Sequence, residues 1–109
     1  MGNHTAEKWR ALLGFGFRSG KVITGTEATR SLLKKGQARL VWLAENASPR
    51  TQREFTQVCE ENGVDWIVFS KKEILGLCTG QSPRAVLAII DHQLARAILR
   101  VIRPDMPGK

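Results

Sequence analysis

Few residues of this chain have the type and spacing for bond-making chemistry. Its two histidines are His4 and His92. His92 follows Asp91, which is an acid/base couple on paper, but an N-cap aspartate followed by a surface histidine accounts for the pair more simply. Cys59 and Cys78 stand 19 residues apart, each without a second cysteine nearby. That spacing excludes a CxxC redox pair and a zinc knuckle, and the apolar neighbours Val58 and Leu77 suit buried free thiols. Tyrosine is absent. No HExxH, GxSxG, Walker A or paired-carboxylate pattern occurs. Gly14-x-Gly16-x-x-Ser19 has the outline of a dinucleotide fingerprint, but it precedes a strand instead of following one. The expectation is a protein that is not an enzyme, with no cofactor, no metal and no small-molecule substrate.

The chemistry that remains is charge. Lys and Arg number 17 against 10 Asp and Glu, a formal net charge of +7. Up to residue 55 there are ten basic residues and four acidic ones; after it, seven and six. Residues 18–39 alone carry Arg18, Lys21, Arg30, Lys34, Lys35 and Arg39 against Glu27. Such a cluster is the footprint of a polyanion partner, because each neutralised phosphate releases counterions. A solvated basic face is the plainer alternative.

Composition bounds the rest. At 109 residues with 42% hydrophobic side chains, the chain is sized for one domain with a real core. No apolar run reaches the roughly 18–20 residues of a membrane span, and no secretory signal opens the chain. A cytoplasmic protein with no membrane partner is expected. Without a long heptad pattern, a monomer is expected too.

The elements that must position this charge follow from periodicity and punctuation. Residues 6–18 read as a helix despite Gly14 and Gly16, and Lys21-Val22-Ile23 as a short extended piece. Thr26 to Lys35 reads as a helix with its N-cap among Thr24 to Thr26 and its stop at Gly36. Leu40 to Ala44 is a continuous apolar run of strand length, consistent with burial on both faces. Ser48-Pro49 opens a helix that ends at Gly63. Val64 to Phe69 is the next strand, and Ser70-x-x-Glu73 is a capping box for a short helix through Cys78. Ala85 to Ile90 is another buried strand, and Asp91 caps a final helix to Ile102, beyond which residues 105–109 form a frayed tail. Trp9, Trp42 and Trp66 are expected to pack, not to stack on bases.

Helices alternating with short apolar strands specify an α/β fold: a three-layer α/β/α sandwich with a small mixed sheet, a single domain over 1–109 with its core at about 6–102. In such a fold the turns after the strands gather at one end of the sheet, where helix N-termini present free N–H groups. Three segments are expected there: Gly25-Thr26-Glu27, Glu45 to Ser48, and Gly80 to Arg84.

The same segments carry a resemblance. Gly25, Gly36, then Ala38-Arg39-Leu40-Val41-Trp42-Leu43-Ala44-Glu45-Asn46-Ala47-Ser48 resembles the kink-turn RNA-binding superfamily of archaeal and eukaryotic large-subunit ribosomal proteins. Ser70-Lys71-Lys72, Leu75-Gly76, Gly80 and Arg84 to Ile89 continue the match. Leu12-Leu13-Gly14, Arg18-Ser19-Gly20-Lys21 and Pro83-Arg84-Ala85-Val86 are similar to its bacterial YlxQ-like branch. The resemblance covers roughly residues 9–102. It implies an α/β/α sandwich that binds structured RNA, ribosomal RNA included, through the glycine-led helix start and the loop before the last strand, in a ribosome- or translation-associated setting.

In kink-turn binders that helix start reads Gly-x-Asn-Glu-x-x-Lys. This chain places Glu27, Ala28 and Ser31 at the three reading positions, so RNA binding is the expectation and kink-turn specificity does not follow from it. The residues expected at the RNA are Lys21, Gly25, Thr26, Glu27, Arg30, Ser31, Lys34, Glu45, Gln81 and Arg84. Lys21, Arg30, Lys34 and Arg84 would hold phosphates, Arg84 alternatively stacking on an unpaired base. A protein–protein interaction module on the same fold is the alternative.

Overall fold

The computed structural model describes residues 4–103; the tail expected at 105–109 lies outside them. The elements run α1 (His4–Arg18), β1 (Val22–Thr24), α2 (Thr26–Lys34), β2 (Leu40–Leu43), α3 (Pro49–Asn62), β3 (Asp65–Val68), α4 (Lys72–Cys78), β4 (Val86–Ile89) and α5 (His92–Ile102). The strand order is β1-β4-β2-β3. β2 and β3 are parallel, and β4 runs antiparallel to β1 and β2, which makes the sheet mixed as expected.

The two central strands divide the core by the period-two rule of a strand. Leu40 and Trp42 of β2, with Leu87 and Ile89 of β4, enter the cluster that holds Trp9, Leu13, Leu75 and Ile98. Val41 and Leu43, with Val86 and Ala88, enter the other, against Leu33, Phe55 and Cys59. Thus α1, α4 and α5 cover one face and α2 and α3 the other, completing the three layers. Trp9 and Trp42 are core, their rings 5.6 Å apart, and Trp42 Nε1 donates to the Phe69 carbonyl at 2.9 Å.

Local signals set several boundaries. Ser48 caps α3 by accepting from the Thr51 amide, with Pro49 beside it, and Gly63 ends that helix in the left-handed region. Asp91 caps α5, accepting from the Leu94 amide at 2.8 Å.

One expected cap is absent, and another falls to the glycine of its expected span, each for a tertiary reason. The Ser70–Glu73 capping box does not form, since Ser70 adopts φ 65° and Lys71 is the N-cap, with no side-chain cap bond of its own. Asn46, from the β2–α3 loop, does the work instead. Its Oδ1 accepts from the Lys72 amide at 2.9 Å and its Nδ2 donates to Glu73 at 3.1 Å. Nor does a threonine cap α2. Its N-cap is Gly25, and the Thr24 hydroxyl donates to Gln81 Oε1 at 2.9 Å.

Candidate nucleic-acid interface

The three segments singled out in the sequence meet at one end of the sheet. The Gly25 amide donates to the Val86 carbonyl at 2.8 Å, and the Ala44 amide to that of Ala85 at 2.9 Å. The ends of β1 and β2 are thereby placed on either side of the start of β4. The Glu45 amide donates to the Ser70 carbonyl at 2.7 Å, drawing in the β3–α4 turn.

Gly25 sits at φ 107°, a conformation that L side chains rarely adopt. That turn presents the start of α2 with no side-chain cap. The Gly25 N–H is already used, so the amides of Thr26, Glu27 and Ala28 have no intrahelical partner and carry the positive end of the helix dipole. Glu27, Ser31 and Lys34 are exposed and follow one helix row.

The loop before β4 closes over the same end. Gln81 accepts from Thr24 through Oε1, which orients its amide nitrogen as a remaining donor. The Arg84 amide donates to the Lys72 carbonyl at 3.0 Å. Its guanidinium bends back on its own loop, with Nη1 2.8 Å from Ser82 Oγ. The loop lies directly on α4 at Gly76, where an added Cβ would stand 2.3 Å from the Ser82 carbonyl oxygen.

Arg30, expected at a phosphate, is paired within the chain. Its Nε and Nη2 form a two-point pair with Glu54 of α3 at 2.7 and 3.2 Å, and Nη1 reaches Glu27 at 3.3 Å. The guanidinium carbon also lies 5.5 Å from the Phe55 ring centroid. Hydrogen bonding from Arg30 holds the Glu54 carboxyl below its ordinary value. Arg30 thus clamps α2 to α3 and steadies the Glu27 side chain.

Lys21 is also placed apart. Its carbonyl accepts from the Ile90 amide, at the opposite end of β4 from Gly25. Four strand rises, about 14 Å, separate the two. Lys34 lies two helical turns from Thr26, toward that same distant end. Asn46, within the Glu45–Ser48 segment, and Lys71 and Lys72 also border these loops, although they were not among the residues expected at the RNA. Lys71 is exposed beside the loops, and the Lys71-Lys72 pair was a legible signal.

The described residues hold no group of three or more His, Cys, Asp or Glu able to bind a metal ion. Burial, with a smaller contribution from Asp65, pushes the Cys59 thiol up to about 12, which makes it unreactive. None of the described helices is long and apolar enough to cross a membrane.

Known proteins resemble this chain over most of its length. It is 28% identical over 95 residues to the RNA-binding protein YlxQ of Bacillus subtilis (strain 168), covering 87% of this chain and 95% of that one. It is 32% identical over 77 residues to the large ribosomal subunit protein eL8 of Picrophilus torridus, covering 70% and 61%. A solved structure of a protein of unknown function from Bacillus halodurans superposes with a TM-score of 0.84 at 27% identity, covering 87% of this chain and 96% of that one. Residues 7–98 match the family model described as ribosomal protein L7Ae/L30e/S12e/Gadd45. The chain belongs to that family.

Proposed function

We propose that this protein binds structured RNA, without catalysis, through the end of the sheet where Gly25, Glu45 and the Gln81–Arg84 loop converge. The observation that carries the reading is the uncapped start of α2, braced on both sides by loops that leave its amides open. Those amides suit phosphate or base oxygens. Glu27 is acceptor-only, so it pairs with an exocyclic amino group of a base, guanine or cytosine. Gln81 donates its free amide, and Arg84, once released from Ser82, reaches a phosphate or stacks on an unpaired base. Arg30 acts as a positioning residue behind Glu27.

The relatives named for RNA binding and for the large ribosomal subunit favour this reading and a cytoplasmic, translation-associated setting. Kink-turn recognition is not part of the proposal, because Ala28 and Ser31 remove two of its contacts. The test is fluorescence anisotropy with an internally looped RNA hairpin, comparing the wild type with Glu27→Ala and Gln81→Ala. Each substitution is expected to weaken binding about tenfold, in line with 1.4 kcal/mol. Unchanged affinity in both would place the contact elsewhere.

A further inference from the structure

Among the described residues three large apolar side chains are well exposed: Phe15 at 56%, Val68 at 44% and Leu77 at 70%. Val68 lies on the edge strand β3 and, two residues from Trp66, faces the α2–α3 side of the sheet. Phe15 and Leu77 belong together on the other side. Phe15 follows Gly14 of α1, and Leu77 precedes Cys78 of α4. A Cβ on Gly14 would stand 3.2 Å from the Cys78 carbonyl oxygen, so the two helices touch there. With no side chain at Gly14 the seam between them is low, and Phe15 and Leu77 form its two walls. Ala11, exposed one turn before Phe15, extends the apolar row along α1. Single apolar residues scattered on a surface need no explanation, whereas neighbouring ones mark a docking site.

Neither wall serves the core or the loops at Gly25. Leu77 is turned about 100° around α4 from Gly76, on which the Gln81–Ser82 backbone rests. Helix α1 ends before Lys21, at the opposite end of β1 from Gly25.

Charge around the seam is mainly positive. α1 carries Lys8, Arg10 and Arg18 against Glu7. α5, packed beside α1 where Gly16 meets Leu94, carries Arg96 and Arg100 with no acid from His92 to Ile102. Arg18 is exposed, and its Nη1 comes within 3.3 Å of the Cβ position at Gly14, so a cation lies in the seam itself. Arg96 and Arg100 are exposed one turn apart. Of the other carboxylates on this side, Glu73, one turn before Leu77, accepts from Asn46, and Asp91 accepts from the Leu94 amide.

Apolar walls with basic residues between and beside them narrow the occupant. A second copy of this chain would bring the same cations and be repelled. A phosphate chain would answer the cations and leave Leu77 uncovered, since an aliphatic side chain offers no ring on which a base can stack. A bilayer surface is flat where the seam is concave. A helix with an apolar ridge fits between Phe15 and Leu77, and carboxylates flanking that ridge meet Arg18 on the floor and Arg96 and Arg100 beyond Phe15.

We infer that the α1–α4 seam docks an acidic amphipathic helix of a partner protein. The inference stands apart from the RNA reading and leaves the loops at Gly25 free for RNA.

The test uses the full chain and a fluorescein-labelled helical peptide with one leucine stripe flanked by glutamates, beside a twin with lysines in place of the glutamates. The acidic peptide is expected to bind at least about tenfold more tightly than the twin, a difference of about 1.4 kcal/mol. Phe15→Ser with Leu77→Ser is expected to weaken the acidic peptide about tenfold and to keep Tm, since both side chains are exposed, while Val68→Ser leaves binding unchanged. Amide NMR shifts on adding the peptide should fall around Gly14 and Leu77 and spare Glu27 and Gln81. No binding of the acidic peptide, equal binding of the twin, equal binding to the double variant, or shifts confined to other elements each overturn the inference. A straight RNA duplex or phosphatidylglycerol vesicles that lose about tenfold affinity for the double variant would assign the seam to RNA or to a membrane and overturn it as well. So would a wild-type dimer in sedimentation that the double variant abolishes.

Discussion

Replacing Gly76 by alanine adds one methyl group where the loop proposed to meet RNA rests on α4. The new Cβ would stand 2.3 Å from the Ser82 oxygen, 2.7 Å from its carbonyl carbon and 2.9 Å from the Gln81 oxygen. All three are backbone atoms, so no flexible side chain can yield. Ordinary contact begins near 3.4 Å, and the loop must retreat by roughly 1 Å to restore it. Overpacking of this kind costs about 1–3 kcal/mol, offset by the gain of about 0.8–1 kcal/mol from alanine in a helix. A net loss near 1 kcal/mol lowers Tm by about 4–8 °C for a domain of this size. The larger effect falls on RNA. Gln81 and Arg84 move with the loop, and two displaced hydrogen bonds at about 0.5–1.5 kcal/mol each give roughly a tenfold loss of affinity. Thermal unfolding by circular dichroism and anisotropy on a looped hairpin measure both. Leu77→Ala is the control, since Leu77 is 70% exposed and its loss should leave Tm and affinity unchanged. A Gly76→Ala protein with raised Tm and full RNA affinity would refute the seating of the loop.

Four further outcomes follow from the same structure. Ser48→Ala removes the α3 cap and should cost about 1 kcal/mol by thermal or urea unfolding, without changing RNA affinity. Asn46→Ala should be as costly or more so, because it frees the Lys72 amide and a Glu73 contact together; hydrogen exchange should rise in α4 and not in α3. Arg30 holds the folded Glu54 carboxyl below its ordinary value of 4.5, so the pair stabilises the fold above that pH and stops doing so as the pH falls through the lowered value. The stability gap between wild type and Glu54→Gln should therefore be present at pH 7 and close in acid. With its thiol pushed up to about 12 and buried, Cys59 should resist alkylation at pH 8 in the folded protein and react on unfolding, as mass spectrometry of the peptides reads directly.

The architecture was legible because its signals are local. Apolar runs at Leu40–Leu43 and Val86–Ile89 sit in the two central strands, and Ser48-Pro49, Gly63 and Asp91 set helix ends where the residue type demands it. Partners distant in sequence were not legible. Asn46 replaces the Ser70 cap from 26 residues upstream of Lys72, and Glu54 claims Arg30 from 24 residues away. A helix pattern fixes where Arg30 points and says nothing of what packs against that face. The basic stretch misled for a related reason. Lys21 and Gly25 are close in sequence, yet a strand between them carries the chain from one end of the sheet to the other. Charge clustered along the sequence is therefore divided in space, and the loops that meet at Gly25 are nearly balanced.

The central claim is that RNA is read by shape and base contact at the Gly25 end, and not by charge alone. Titrating the wild-type protein against a labelled internally looped RNA and a straight duplex of equal length, at 50 and 200 mM salt, tests it most directly. The looped RNA should bind more tightly at both salt concentrations, with both affinities falling about tenfold or more across that range. Equal affinity for the two RNAs would reduce the interaction to non-specific electrostatics, and no binding to either would point to a protein partner on the same loops.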